Sequence, residues 1–178
     1  TGRMGGGYIR TYNNSGRETS YLGTGSDNSG QLRIYDKQGE TRSYLGDGYL
    51  QAYNQFGERT IFLGTGTNGG GYLRTYNFSG QESIYVGTGA DSSGQIRIYD
   101  NSGETGSFLG SGYFRTYNKF GKMTTFIGNA TDGGGYLRTN NKFETETAFL
   151  GTNNANEGLI NLNDKFGQSF WIRLNKKN

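Results

Sequence analysis

Eight copies of one short motif run through this 178-residue chain and leave little choice of architecture. The motif reads Gly-x-aliphatic-Arg-x-Tyr-Asn/Asp-x-x-Gly, then four variable residues, then aromatic-aliphatic-Gly. The first copy runs Gly7-Tyr8-Ile9-Arg10-Thr11-Tyr12-Asn13, turns through Asn14-Ser15-Gly16, and ends at Tyr21-Leu22-Gly23. Further copies open at Gly30, Gly48, Gly71, Gly94, Gly112, Gly135 and Gly158. A period of about 20 residues belongs to stacked repeat proteins, in which a unit buries its apolar side only against its neighbours. That weighs against an ordinary enzyme pocket.

The openings lie 23, 18, 23, 23, 18, 23 and 23 residues apart. The difference is the linker: six residues at 24–29, 65–70, 88–93, 129–134 and 152–157, but a single residue at Asp47 and Ser111. The rhythm recurs every 64 residues, and the copies opening at Gly30 and Gly94 match closely, Gly-Gln-Leu-Arg-Ile-Tyr-Asp against Gly-Gln-Ile-Arg-Ile-Tyr-Asp. The array reads as repeated duplication of a three-motif block.

Each motif reads as two short strands. Residues 8–12 alternate with period two, as a half-buried strand does. Ile9 and Thr11 share one face, and Leu32/Ile34, Leu73/Thr75, Ile96/Ile98 and Leu137/Thr139 hold the same places later on. The other face carries Tyr8, Arg10 and Tyr12. Asn or Asp follows every first strand, and Gly comes three residues later in seven of the eight copies, Glu144 being the exception. Both residue types lower the cost of a positive φ, so a tight turn is expected there. The second strand ends in pairs such as Tyr21-Leu22 and Phe126-Ile127, and its closing Gly is expected to let the chain exit sharply. No segment has helical periodicity with caps.

Composition narrows the function classes. Glycine, at 33 of 178 residues, comes without proline and without a Gly-x-y period, which excludes collagen. Fourteen Tyr, eleven Phe and strict alternation argue against disorder. The formal charge of +3 comes from interspersed signs, too weak a field for a nucleic-acid footprint. No apolar run approaches membrane-spanning length, so no membrane insertion is expected, and no signal peptide is visible. A chain opening on Thr1 is expected to be a piece of something longer. With neither His nor Cys, no metal site and no cofactor is expected. The apolar content of 31% is lean, about three aliphatic side chains per motif. Oligomerisation is the usual remedy for a thin core, and a homotrimer with a shared narrow interior would also cover open sheet edges.

The run 71–80, Gly-Tyr-Leu-Arg-Thr-Tyr-Asn-Phe-Ser-Gly, followed by Tyr85-Val86-Gly87-Thr88-Gly89, resembles the tandem repeats of trimeric fibre proteins of phage tails and bacterial surfaces, whose shafts are triple-stranded β-helices or related β-structures. The resemblance covers residues 7–174. It implies an all-β, elongated, intertwined homotrimer on a virion or cell surface. In this reading 1–157 form a seven-motif shaft without catalysis, which holds a receptor-binding tip away from its base. Tyr35-Asp36-Lys37-Gln38-Gly39 is similar to the Tyr-Asp repeats of large toxin shells, but the Gly-aliphatic opening is not.

The Tyr and Arg positions are the candidate chemistry. Arg occupies the middle of the first strand in six of eight copies. Tyr8, Arg10 and Tyr12, with Tyr72, Arg74 and Tyr76 and with Tyr113, Arg115 and Tyr117, would form Tyr–Arg–Tyr rows. On one reading these are cation–π and cross-strand pairs that hold the sheet. On the other they are a face for surface glycans, as in a lectin, or in a polysaccharide lyase of the kind some phage fibres carry. Lyase chemistry needs one distinctive groove, and here Tyr and Arg are spread evenly. The last copy drifts: Asn161 replaces Arg, Asn163 replaces Tyr, and the only Trp follows at 171. Terminal repeats must close an open stack, so 158–178 are expected to cap it.

Overall fold

The structure is a computed structural model that describes residues 6–174 other than 68, 132 and 154, with side chains to 171. It divides into two compact units, Thr1–Ser92 and Ser93–Asn178. The first holds β1 (Tyr8–Tyr12), β2 (Glu18–Thr24), β3 (Gly30–Tyr35), β4 (Thr41–Gly46), β5 (Tyr49–Tyr53), β6 (Arg59–Thr65), β7 (Gly71–Tyr76) and β8 (Glu82–Thr88). The second holds β9 (Gly94–Tyr99), β10 (Thr105–Gly110), β11 (Tyr113–Tyr117), β12 (Met123–Asn129), β13 (Gly135–Asn140), β14 (Glu146–Thr152), β15 (Gly158–Asn163) and β16 (Ser169–Leu174). Within each unit every strand pairs antiparallel with the next, so spatial order is sequence order. The fold is all-β, with two strands per motif and no helix among the described residues.

The two turn types follow from their residues. In the first, Asn13 Oδ1 accepts hydrogen bonds from the backbone N–H groups of Ser15 and Arg17, both at 3.0 Å, while the Asn13 carbonyl accepts from Gly16 N at 2.9 Å. Gly16 closes the turn at φ +78°, the left-handed region glycine enters freely. In the copy that lacks this glycine, Glu144 takes φ +66°, and its carboxylate holds Lys122 Nζ at 3.1 Å. The single-residue linkers become two-residue hairpins: Asp47 and Gly48 lie at φ +50° and +77°, as a type I′ turn requires. Five Phe, at 56, 78, 120, 143 and 166, stand exposed on first-turn tips; Phe78 is 85% exposed.

One feature of every first hairpin escaped the sequence pattern. The register slips by one residue, so that Thr11 faces Ser20 but Tyr12 faces Glu18, leaving Thr19 as a β-bulge. The same slip recurs in all eight hairpins. Strict alternation would put Glu18 and Tyr21 on opposite faces; the bulge puts both beside Arg10.

The register makes two unlike faces. On one, Ile9, Leu22, Leu32, Leu45, Leu50, Leu63, Leu73 and Val86 face one another across the first unit, and Ile96, Leu109, Phe114, Ile127, Leu137, Leu150 and Ile160 across the second. The faces are those expected, but the aliphatic side is not an interior within either unit. Leu22 is 52% exposed, and Leu45, Leu63, Leu109 and Leu150 are similarly open. Phe126, at 5%, is the one buried hydrophobic residue among those described, and it lies on the opposite face. A single layer of sheet has nothing to lay over its own aliphatic rows.

The closing glycines do not turn the chain. Gly23, Gly46, Gly64, Gly87, Gly110, Gly128 and Gly151 lie inside strands or at their last residue, and none has a positive φ. Their role is close approach. A Cβ on Gly128 would lie 2.5 Å from Tyr113 Cβ, and one on Gly64 would lie 2.8 Å from both Tyr49 Cβ and the Phe62 ring. The missing side chain is what lets the aromatic two residues earlier lean along its strand. β15 and β16 form a hairpin built like the others, and residues 175–178 of the expected cap lie outside the described residues.

Candidate functional site

The face opposite the aliphatic rows is an interleaved pile of rings and guanidinium groups. Across the sheet Tyr44, Tyr49, Phe62, Tyr72 and Tyr85 stack in sequence, with centroids 5.2, 5.5, 5.2 and 5.8 Å apart. Phe108, Tyr113, Phe126, Tyr136 and Phe149 do the same in the second unit, at 5.2, 5.6, 4.7 and 5.4 Å. These spacings track the ~4.8 Å between hydrogen-bonded strands. Each ring therefore shows an edge to solvent and gives its faces to its neighbours.

Arg side chains lie across the same rings. Arg74 sits 4.7 Å from the Tyr72 centroid and 5.5 Å from Tyr85; Arg115 sits 4.2 Å from Tyr113 and 5.3 Å from Phe126. The register puts every such Arg directly opposite a second-strand aromatic, as with Arg10 and Tyr21 or Phe62 and Arg74. The Nε atoms of Arg33, Arg97, Arg115 and Arg138 are buried beside these rings without a hydrogen-bond partner. The bulge adds carboxylates: Arg10 pairs with Glu18 at 3.3 Å and Arg74 with Glu82 at 3.4 Å. The hydrogen bond with Tyr12, and then the Glu18 charge, hold Arg10 above the ordinary arginine range against some loss of hydration. Burial pushes the Tyr44 phenol up to about 12, helped by its hydrogen bond with Tyr49.

The Tyr–Arg–Tyr rows are only partly assembled. Tyr8, Arg10, Tyr72, Arg74, Tyr113 and Arg115 lie in the pile. Tyr12 is open to solvent and outside the ring stack but hydrogen-bonds Arg10, as Tyr76 does Arg74. Tyr76 takes Arg59 over its ring at 4.6 Å, an Arg from the second strand of the preceding motif. Tyr117 belongs to the bulge register, opposite Met123, and not to the ring stack. The sequence reading missed the second-strand aromatics Tyr21, Tyr44, Phe62, Tyr85, Phe108, Phe126 and Phe149. The signal for them was present: Leu22 shares the face of Ile9, so Tyr21, its neighbour in the strand, has to share the face of Arg10.

Gln31, Gln95 and Leu159 stand in the place of Tyr8; in the first unit Gln31 breaks the pile between Tyr21 and Tyr44, and in the second the pile ends at Phe149, because Ile172 holds the next aromatic position. Beside Gln31 is a cleft of about 340 Å³, and beside Leu159 one of about 670 Å³. Among the described residues no group of His, Cys, Asp and Glu side chains is placed to hold a metal ion. No protein-family model matches the chain, and no curated protein matches it.

Proposed function

We propose that this chain is a repeat segment of an attachment fibre, a structural shaft in which copies of the chain associate, three together, with their aliphatic faces turned inward. The observation that carries the reading is the uncovered aliphatic face. The chain leaves 12005 Å² in solvent, whereas a compact monomer of 19.5 kDa leaves about 8,500 Å². The surplus of roughly 3,500 Å² is of the size that permanent subunit interfaces cover. On this face Leu45, Leu50, Leu63, Leu73 and Val86 line a shallow apolar trough of about 620 Å³. Exposed apolar patches of this extent mark association surfaces.

Three copies, in preference to two, follow from the fibre resemblance and from the width of the aliphatic band, two side chains per strand. Such a band closes around a narrow axis. The ring face then lies outward, its Arg and Tyr edges wet, and no catalytic step is assigned to it. Extracellular display on a virion or cell surface is part of the same proposal, as is a capping role for residues 158–178. Sedimentation equilibrium tests the core of it. The expected mass is three times 19.5 kDa at micromolar concentration, falling to one chain in Leu45→Glu/Leu63→Glu/Leu150→Glu. A wild-type monomer would overturn the proposal.

A further inference from the structure

We infer that the clefts beside Gln31 and Leu159, where the ring pile breaks off within each unit, are binding slots for a saccharide, one pyranose ring wide. Both lie on the face away from the aliphatic rows. The inference therefore does not rest on the fibre reading and holds for one copy or several.

The two described slots are built alike. One is lined by Arg10, Glu18, Tyr21, Thr24, Gln31 and Arg33. The other is lined by Arg138, Glu146, Phe149, Thr152, Asn153 and Leu159. Five of the first set, at 10, 18, 21, 24 and 31, become the second on adding 128, twice the 64-residue block. In both, the Tyr of the first strand is missing and a six-residue linker passes alongside. The face that Tyr21 turns toward β3, and the face that Phe149 turns toward β15, receive no stacked ring among the described residues, whereas their other faces meet Tyr8 and Tyr136. Tyr49, Phe62, Tyr72, Tyr113, Phe126 and Tyr136, by contrast, each meet a ring on both sides. At the first slot the stack skips one strand between Tyr21 and Tyr44, which leaves about 10 Å between flanking centroids, enough for one ring; at the second the stack ends on Phe149, whose outer face is open.

The rim of the gap is polar and specific. Arg10 and Glu18, paired at 3.3 Å, present a guanidinium and a carboxylate side by side, a match for vicinal hydroxyl groups. Arg33 donates from Nη2 to Gln31 Oε1 at 3.1 Å, which holds the amide over the floor of the first slot. Tyr21 Oη donates to the Thr24 carbonyl at 2.7 Å, which ties the ring to the start of the linker. At the second slot the lining Glu146 is held from behind: Asn163 Nδ2 donates to Glu146 Oε1 at 3.3 Å, and Asn161 donates to Asn163 at 3.0 Å. Asn161 Oδ1, opposite Phe149 in register, is buried without a hydrogen-bond partner behind the cleft lining. One free aromatic face with converging charged, amide and hydroxyl groups is the composition of a sugar site. An all-carbon aryl ligand would leave those groups unpaired, at a cost.

The test fills the gaps. Gln31→Tyr and Leu159→Tyr restore the residue found at Tyr49 and Tyr72, opposite glycines already in place. They are expected to keep the circular dichroism spectrum and to tighten the sheet. Saturation-transfer NMR and titration would be run on the full chain with neutral hexose, N-acetylhexosamine and hexuronate oligosaccharides, and with indole as an aryl control. The expected result is binding of at least one saccharide by the wild type and a loss of about tenfold or more in the double-filled variant. If filling disturbs the fold, Glu18→Gln/Glu146→Gln supplies the same comparison with the rings untouched. No saccharide bound by the wild type, equal binding by the filled chain, or binding of indole alone would each overturn the inference.

Discussion

Gly128 and Gly135 sit only seven residues apart and are expected to tolerate a methyl group very differently. A Cβ at 128 meets Tyr113 Cβ at 2.5 Å and the Gly112 carbonyl oxygen at 3.0 Å, whereas one at 135 meets nothing within 4 Å. Gly128→Ala is expected to cost about 1–3 kcal/mol, the usual range for overpacking, and Gly135→Ala about nothing or a small gain. Urea denaturation of the two variants checks the difference; equal midpoints would show that the ring stack does not depend on the bare strand. Tyr44 sets a pH limit. Its folded pKa of about 12 stands above the ordinary 10, so the folded chain holds this proton longer than the unfolded one. Its contribution is complete below pH 10 and is lost as pH rises toward 12. Tyr44→Phe is expected to flatten the fall in stability over that window, and the tyrosinate absorbance of the wild type to show a late-titrating phenol. At acid pH the opposite sign holds. Asp100, kept ionised by the Ser102 hydroxyl and backbone N–H, and Glu144, kept so by Lys122 and the Met123 N–H, favour the fold above their ordinary range and cease to as pH falls through their lowered pKa values. At this scale the sequence was readable for turn residues, whose chemistry is local. It misled for the closing glycines, because a residue needed for what it lacks looks the same as one needed for its flexibility.

At the scale of the element, the hairpin is fixed by its turn. Asn118 Oδ1 accepts from Phe120 N at 2.9 Å and Lys122 N at 3.1 Å, so Asn118→Ala removes two bonds from one turn. A loss of about 1–2 kcal/mol is expected. Amide exchange at Phe120 and Lys122 should speed up, while β13 and β14 stay protected; a uniform acceleration would mean that the hairpins do not open separately. Strand positions and their partition into two faces were legible from period-two alternation. The bulge was not. A single extra residue at Thr19, Arg42, Ser83 or Thr124 breaks the count without any distinctive residue type, and the partner strand shows it only through register. The Arg10–Glu18 contact was hidden for that reason. The slots were hidden for another: Gln31 and Leu159 read as scatter about a consensus until the neighbouring rings were seen to stack up to them and stop.

For the whole molecule the decisive quantity is how much apolar surface remains to be covered. If association covers it, stability depends on protein concentration by mass action. Thermal midpoints of the wild type are expected to rise as concentration is raised, and those of Leu45→Glu/Leu63→Glu/Leu150→Glu to lie lower and stay constant. A wild-type midpoint indifferent to concentration would count against association.

The three-motif block holds six strands, an even number, and each motif is a closed hairpin. Adding or removing one block thus restores both the running direction of the chain and the facing of every side chain. Unequal crossing-over between blocks would lengthen or shorten the protein without a structural error, six strands per step. The number of strands would then be inherited as a copy number that recombination can adjust.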